Sequence, residues 1–99
     1  MTRYRVLSWR DIPLQLKIRD ENGRTTAVEL DRWYTEHADR VAMALGMYGS
    51  ESYLDAFEWS PWRDHPGSPA QVAADVVDEL DETWAPRRDQ WRRTGGLGV

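Results

Sequence analysis

Leu30, Trp33, Tyr34, His37, Ala38, Val41, Ala42 and Leu45 succeed one another at helical spacings without a gap. Residues three and four apart share one face of a helix, so this run predicts a long amphipathic helix with one wide buried stripe. Arg32, Thr35, Glu36, Asp39 and Arg40 fall opposite. Asp31 is well suited to cap the start, because its carboxylate can accept from amides that the first turn leaves unpaired. Gly46 and Gly49 mark the end. Such a stripe must be buried against a second layer, and the rest of the chain has to supply it.

The residues before the helix read as β-structure. Residues 3–10, from Arg3 to Arg10, are rich in β-branched and aromatic types and suit a first strand. Ile12, Leu14, Leu16 and Ile18 then alternate with Pro13, Gln15, Lys17 and Arg19, the pattern of a half-buried strand. Asp20-Glu21-Asn22-Gly23-Arg24 supplies a turn, and Thr26, Val28 and Leu30 alternate on the return. The expected class is α+β: an N-terminal three-stranded antiparallel sheet, with two longer helices and one short helix packed on one face.

Ser50 caps the short helix, expected to run through Tyr53, Leu54 and Phe57. Residues 58–67 read as a loop with a short extended piece at its start. Ser68-Pro69-Ala70-Gln71 is a capping box with proline at the first helical position. Val72, Ala73, Val76, Leu80 and Trp84 make the stripe of this third helix, and Pro86 is expected to end it. The organisation read from this is a single domain over residues 1–85 and an Arg/Gly-rich, flexible tail over 86–99.

Composition narrows function mainly by exclusion. A formal net charge of −4 weighs against a general binder of nucleic acid or anionic membrane, whose affinity comes from neutralising phosphates. With no cysteine, disulfides, thiolate metal sites and thiol catalysis are ruled out. The N-terminus lacks the apolar run of a signal peptide, and no segment has the length of a membrane span, so a cytoplasmic protein is expected. Six tryptophans in 99 residues suit either a core or an interface.

Trp9-Arg10-Asp11-Ile12-Pro13, Tyr53-Leu54-Asp55-Ala56-Phe57-Glu58-Trp59 and the helix start at Pro66-Gly67-Ser68 resemble a family of small bacterial "virulence factor" domains, related to a segment of the conserved virulence factor C-type proteins. The likeness spans about residues 3–84. It implies a domain found both alone and fused, and it brings no catalytic or ligand residue with it.

The candidate binding residues are Trp59, Trp62, Arg63, Asp64 and His65, gathered between a helix end and a helix start. Tryptophan and arginine dominate interface hot spots, and loops held by rigid elements often carry function. No catalytic residue, cofactor or metal site is expected. Asp64 and His65 are adjacent, which suits no Asp–His relay, and no nucleophile motif is present. His37 lacks a second ligand at i+3 or i+4, where Arg40 and Val41 stand, and reads as a hydrogen-bonded, partly buried histidine. Asp75, Asp78, Glu79 and Glu82 read as a solvated face that Arg87, Arg88, Arg92 and Arg93 could compensate. Gly95-Gly96-Leu97-Gly98 is not expected to be a phosphate loop, since no helix pattern follows it in this sequence.

The expected function is a small accessory module that binds a protein partner without catalysis of its own, through an exposed apolar patch including Trp62 or other aromatics. A homo-oligomer is a further expectation. A small-molecule binder or minor enzyme using the Trp59–His65 loop is the alternative. A ribbon-helix-helix DNA-binding protein is the second, disfavoured because Glu29 would face phosphates.

Overall fold

The alternation over 12–18 forms a strand at the centre of the fold, in a computed structural model that describes residues 1–94. Strand β1 (Thr2–Trp9) turns at Arg10 and Asp11 into β2 (Ile12–Arg19). Asp20 then organises the next turn, its Oδ1 accepting from the amides of Asn22 and Arg24, both at 2.9 Å, while Gly23 takes φ +84°. Strand β3 (Thr25–Glu29) returns along β2. All pairings are antiparallel.

Among the described residues the sheet has five strands rather than three. The extended piece expected at the start of residues 58–67 is β4 (Phe57–Trp59), which also takes in Phe57, and the part read as loop contributes β5 (Arg63–His65); they pair successively with the two ends of β1 on the edge away from β2. These strands are three residues long, too short for a periodicity signal. The β1–β2 register slips between Leu7 and Ser8, leaving Leu14 as the extra residue of a bulge. Ile12, Leu16 and Ile18 are buried, and Leu14 packs partly against the same core.

Helix α1 (Arg32–Ala44) begins at the Asp31 cap, whose Oδ1 accepts from the Trp33 amide at 2.8 Å. Its stripe is shorter than the spacing predicts: Trp33, Tyr34, His37, Ala38 and Ala42 are buried, but Leu45 is 54% exposed. Helix α2 (Glu51–Asp55) starts at the Ser50 cap and stops before Phe57, which belongs to β4.

Helix α3 (Pro69–Thr94) starts where expected, with the Ser68 Oγ accepting from the Gln71 amide at 3.2 Å. It does not end at Pro86. Proline's missing N–H and its ring cost an interior helical position about 3 kcal/mol. Beyond it, Arg88 and Trp91 meet α1 and its cap: Arg88 pairs with Asp31 at 3.3 Å, and the Arg40 guanidinium lies 5.6 Å from the Trp91 ring centroid. These contacts give the last turns a tertiary reason to form. The part of the tail reading that concerns Gly95 to Val99 lies outside the described residues.

Helices α1 and α3 both lie on β2. Trp9, Leu16 and Ile18 from the sheet meet Tyr34, Val72 and Trp84 from the helices in one core.

Candidate functional site

Two cross-strand pairs fix the second face of the sheet: Leu7 stands opposite Trp59, and Arg3 opposite Asp64. Residues directly opposed on antiparallel strands share a face. From Leu7 back to Tyr4 is three steps along β1, while Trp59 to Arg63 is four, so the edge strand carries one extra residue around Ser60-Pro61. Pro61 has no N–H to give a ladder, and Ser60 bridges the gap, its amide donating to the Val6 carbonyl at 2.8 Å and its Oγ accepting from the Val6 amide at 2.9 Å. In an uninterrupted strand, residues three apart point to opposite faces. The extra residue reverses that, and Trp59 and Trp62 come to lie on the same face.

Strand alternation brings cations up from β1 and β2 between these rings. The Arg5 guanidinium lies 5.0 Å from the Trp59 ring centroid and 5.2 Å from that of Trp62. The Lys17 ammonium lies 4.7 Å from Trp59, and the Arg19 guanidinium 4.4 Å from Trp62. Each such contact contributes about 0.5–2 kcal/mol, more as water is excluded. Among the described residues, Arg5, Lys17 and Arg19 meet no carboxylate at ion-pair distance, and the buried Arg5 Nε has no hydrogen-bond partner. The carboxylates on this face are engaged: Asp64 pairs with Arg3 at 3.0 Å, and Glu29 accepts from Gln15 at 2.6 Å. The face is therefore cationic and aromatic in a chain whose formal net charge is −4.

The structure thus gathers Trp59, Trp62 and Asp64 and separates them from Arg63 and His65. Arg63 and His65 oppose Tyr4 and Thr2 across the ladder and point the other way. The His65 ring packs edge-on to Tyr4, centroids 6.1 Å apart, with Nδ1 2.7 Å from the Pro66 carbonyl oxygen. Nothing here arranges a nucleophile beside a base. No group of three or more histidines and carboxylates among the described residues could hold a metal ion. Sequence reasoning missed Arg5, Lys17 and Arg19, whose signal is the alternation of strands some 40 to 57 residues away from the tryptophans they meet.

The six tryptophans divide by burial: Trp9, Trp33 and Trp84 are core, whereas Trp59, Trp62 and Trp91 are half-buried. Apart from Met1, the most exposed large apolar side chains among the described residues lie elsewhere, on the run from α1 to β4, and include Leu45, Tyr48, Leu54 and Phe57.

His37 corrects a further expectation. It is 4% exposed and stacks on Trp33 at 4.8 Å, yet neither ring nitrogen has a hydrogen-bond partner among the described residues. A buried group left unpaired costs about 1–3 kcal/mol. Burial, and then the charge of Arg87, hold its pKa below the ordinary 6.5, against the smaller pull of Asp11. The unfolded chain therefore takes up a proton that the folded state resists. Stability from this group is full above pH 6.5 and is lost as pH falls through the lowered folded value. We expect the urea midpoint to fall between about pH 7 and pH 5, and His37→Phe to flatten that slope. An unchanged slope in the variant would assign it to other groups.

No helix among the described residues is long and apolar enough to cross a membrane. A family model described as "Virulence factor" matches residues 7–89, most of the chain. No curated protein and no solved structure matches it.

Proposed function

We propose that this chain, which belongs to the virulence factor family, is a small cytoplasmic accessory module that binds a protein partner and carries out no catalysis itself. The observation that supports this reading is the placing of Trp59 and Trp62 on one sheet face among Arg5, Lys17 and Arg19, none of which pairs with a carboxylate among the described residues. A partner segment with apolar anchors and carboxylates answers both features. Its apolar groups would cover the half-buried indoles, and its carboxylates would complete the cations. Desolvated tryptophan and arginine at the centre of such a contact would carry most of the affinity, while the charges set the association rate and its salt dependence.

The test starts from partners captured with the full chain and proceeds to calorimetry on each purified candidate. Trp62→Ala is expected to weaken binding about tenfold to a hundredfold, with affinity falling as salt rises. Lys17→Glu should slow association more than it speeds dissociation. Unaltered affinity in both variants would end the reading. So would tight binding of a single-stranded oligonucleotide that both variants abolish, since that would make the face a nucleic-acid platform.

A further inference from the structure

We propose that β3 is a docking edge for a second copy of this chain, the two β3 strands pairing antiparallel about Ala27 to make one continuous sheet. This edge lies across the sheet from β4 and β5, and nothing in the reading of the Trp59–Trp62 face requires it.

The ladder to β2 fixes which backbone groups of β3 are left over. Just beyond its two ends, the Leu30 amide donates to the Leu14 carbonyl at 3.4 Å, and the Asp20 amide to the Arg24 carbonyl at 3.0 Å. Both pairs continue the register in which Val28 opposes Leu16 and Thr26 opposes Ile18. Opposed residues of an antiparallel pair alternate between bonded and non-bonded. Thr26 and Val28 therefore direct their N–H and C=O groups at β2, whereas Thr25, Ala27 and Glu29 direct theirs at the open edge. Among the described residues none of these three meets a backbone partner elsewhere in the chain.

The edge is also undefended. Natural edges are blunted by proline, lysine, bulges or a covering element. Pro61 interrupts the opposite edge between β4 and β5. Strand β3 reads Thr-Thr-Ala-Val-Glu, without proline or lysine, and pairs with β2 without a bulge. Helices α1 and α3 lie on β2, and Thr26 is exposed although it opposes the buried Ile18, so the flank of β3 stays open.

Pairing with itself satisfies this edge in one register. With Ala27 opposite Ala27, Thr25 opposes Glu29 in both directions, and outward groups meet outward groups at all three positions. A shift by one residue sets outward groups against inward ones, and a shift by two leaves one of the three unmatched. Thr26 then opposes Val28 of the second copy, a β-branched pair on the core face.

Charge selects the same register. Arg19 opposes Thr25, and its Nε lies 3.5 Å from the Thr25 Oγ1, so the side chain reaches over β3. Glu29 of the second copy stands beyond Thr25 on the same face, two strand spacings or about 10 Å from Arg19, a gap that two long side chains close. Arg19 meets no carboxylate at ion-pair distance among the described residues. Glu29 accepts through Oε1 from the neutral Gln15, which leaves Oε2 for a cation. The two-fold axis makes this pair twice. That axis is perpendicular to the sheet, so the Trp59–Trp62 faces of both copies lie on one side and the helices on the other.

A five-residue pairing buries less than the roughly 1,200 Å² of a stable interface, so the dimer forms only as concentration rises. Sedimentation velocity on the full chain, from about 5 μM to about 500 μM in low salt, should show the mass climbing from 11.6 kDa toward a dimer, and added salt should weaken it. Amide hydrogen exchange gives the sharper readout. Thr26 and Val28 should be protected at every concentration, and Thr25, Ala27 and Glu29 should gain about tenfold or more only at the upper end. Ala27→Lys sets two lysines against each other on the axis and should weaken self-association by about tenfold or more with the melting temperature little changed, since Ala27 is exposed. Arg19→Glu and Glu29→Arg should each weaken it, and the two together should restore it. Trp62→Ala should leave the dimer unchanged, so this proposal and the reading of the Trp59–Trp62 face fail separately. A monomer across the whole range, a dimer that Ala27→Lys leaves intact, or protection that does not alternate along β3 would each overturn the proposal. So would a dimer that Leu54→Asp disrupts while Ala27→Lys does not, since that would place the contact on the exposed apolar run around α2.

Discussion

Trp9→Ala is expected to remove about 3–5 kcal/mol of stability, a large part of the roughly 5–15 kcal/mol that holds a domain of this size together. Trp9 is fully buried and stands where several elements meet. It opposes Ile12 in β2 and Phe57 in β4, and its ring packs on Tyr53 of α2 at 5.7 Å. Its Nε1–H donates to the Tyr53 carbonyl at 2.9 Å. Helix α2 has no buried residue of its own, so this bond and ring contact are main ties between it and the sheet. Truncation would leave a cavity at the bulged end of β1 and loosen α2 together. Urea unfolding should show a lower midpoint, with the melting temperature down by roughly 15–30 °C. Hydrogen exchange at the amides of Glu51 to Asp55 should quicken beyond the global change. Trp9→Phe keeps most of the ring and loses the N–H, and should cost about 1–2 kcal/mol. A loss below about 1 kcal/mol for Trp9→Ala would show that the region repacks without its tryptophan.

What the sequence made legible was local. The alternation from Ile12 to Ile18, the stripe from Leu30 to Ala42 and the Ser68 cap each fall within a few turns or steps of chain, where period and capping chemistry act directly. Of the edge strand only a short extended piece at the start of residues 58–67 was legible, because Phe57–Trp59 and Arg63–His65 become strands by pairing with β1 some fifty to sixty residues earlier. Pro86 misled for a related reason. Its local cost is real, but the partners that offset it, Asp31 and Arg40, lie on another helix and its cap.

The candidate site divides in the same way. Trp59 and Trp62 stood out by composition alone. That they share a face depends on the extra residue at Ser60-Pro61, and their neighbours Arg5, Lys17 and Arg19 depend on sheet register. The net charge pointed away from anionic partners because it sums over the whole surface. It hides a cationic sheet face on a molecule that carries Asp75, Asp78, Glu79 and Glu82 on α3.

Arg88→Ala should cost about 2 kcal/mol, more than an exposed ion pair yields. Arg88 is 18% exposed and bridges two carboxylates, with Nη2 3.3 Å from Asp31 and Nη1 3.6 Å from Asp81. Its guanidinium also lies 5.7 Å from the Trp33 ring centroid and 5.9 Å from that of Tyr34. Asp31 caps α1, and Asp81 accepts from the Tyr34 hydroxyl at 2.6 Å, so one side chain beyond the proline ties α3 to the start of α1. Removing it leaves Asp81 beside a buried tyrosine with no countercharge and strips the stem from the rings beneath. A loss of 3–5 kcal/mol, as for a fully buried pair, is not expected, because Asp31 and Asp81 retain 50% and 37% exposure and water can screen them. Arg88→Lys keeps the charge but cannot fork between two carboxylates or stack as a plane, and should recover less than half of the loss. A double-mutant cycle of Arg88→Ala with Asp81→Asn, read by urea unfolding, separates the ion pair from the packing. Coupling near zero with the full loss intact would place the effect in the stack on Trp33 and Tyr34. Loss near zero in Arg88→Ala would mean that the turns beyond Pro86 hold to α1 through Trp91 instead.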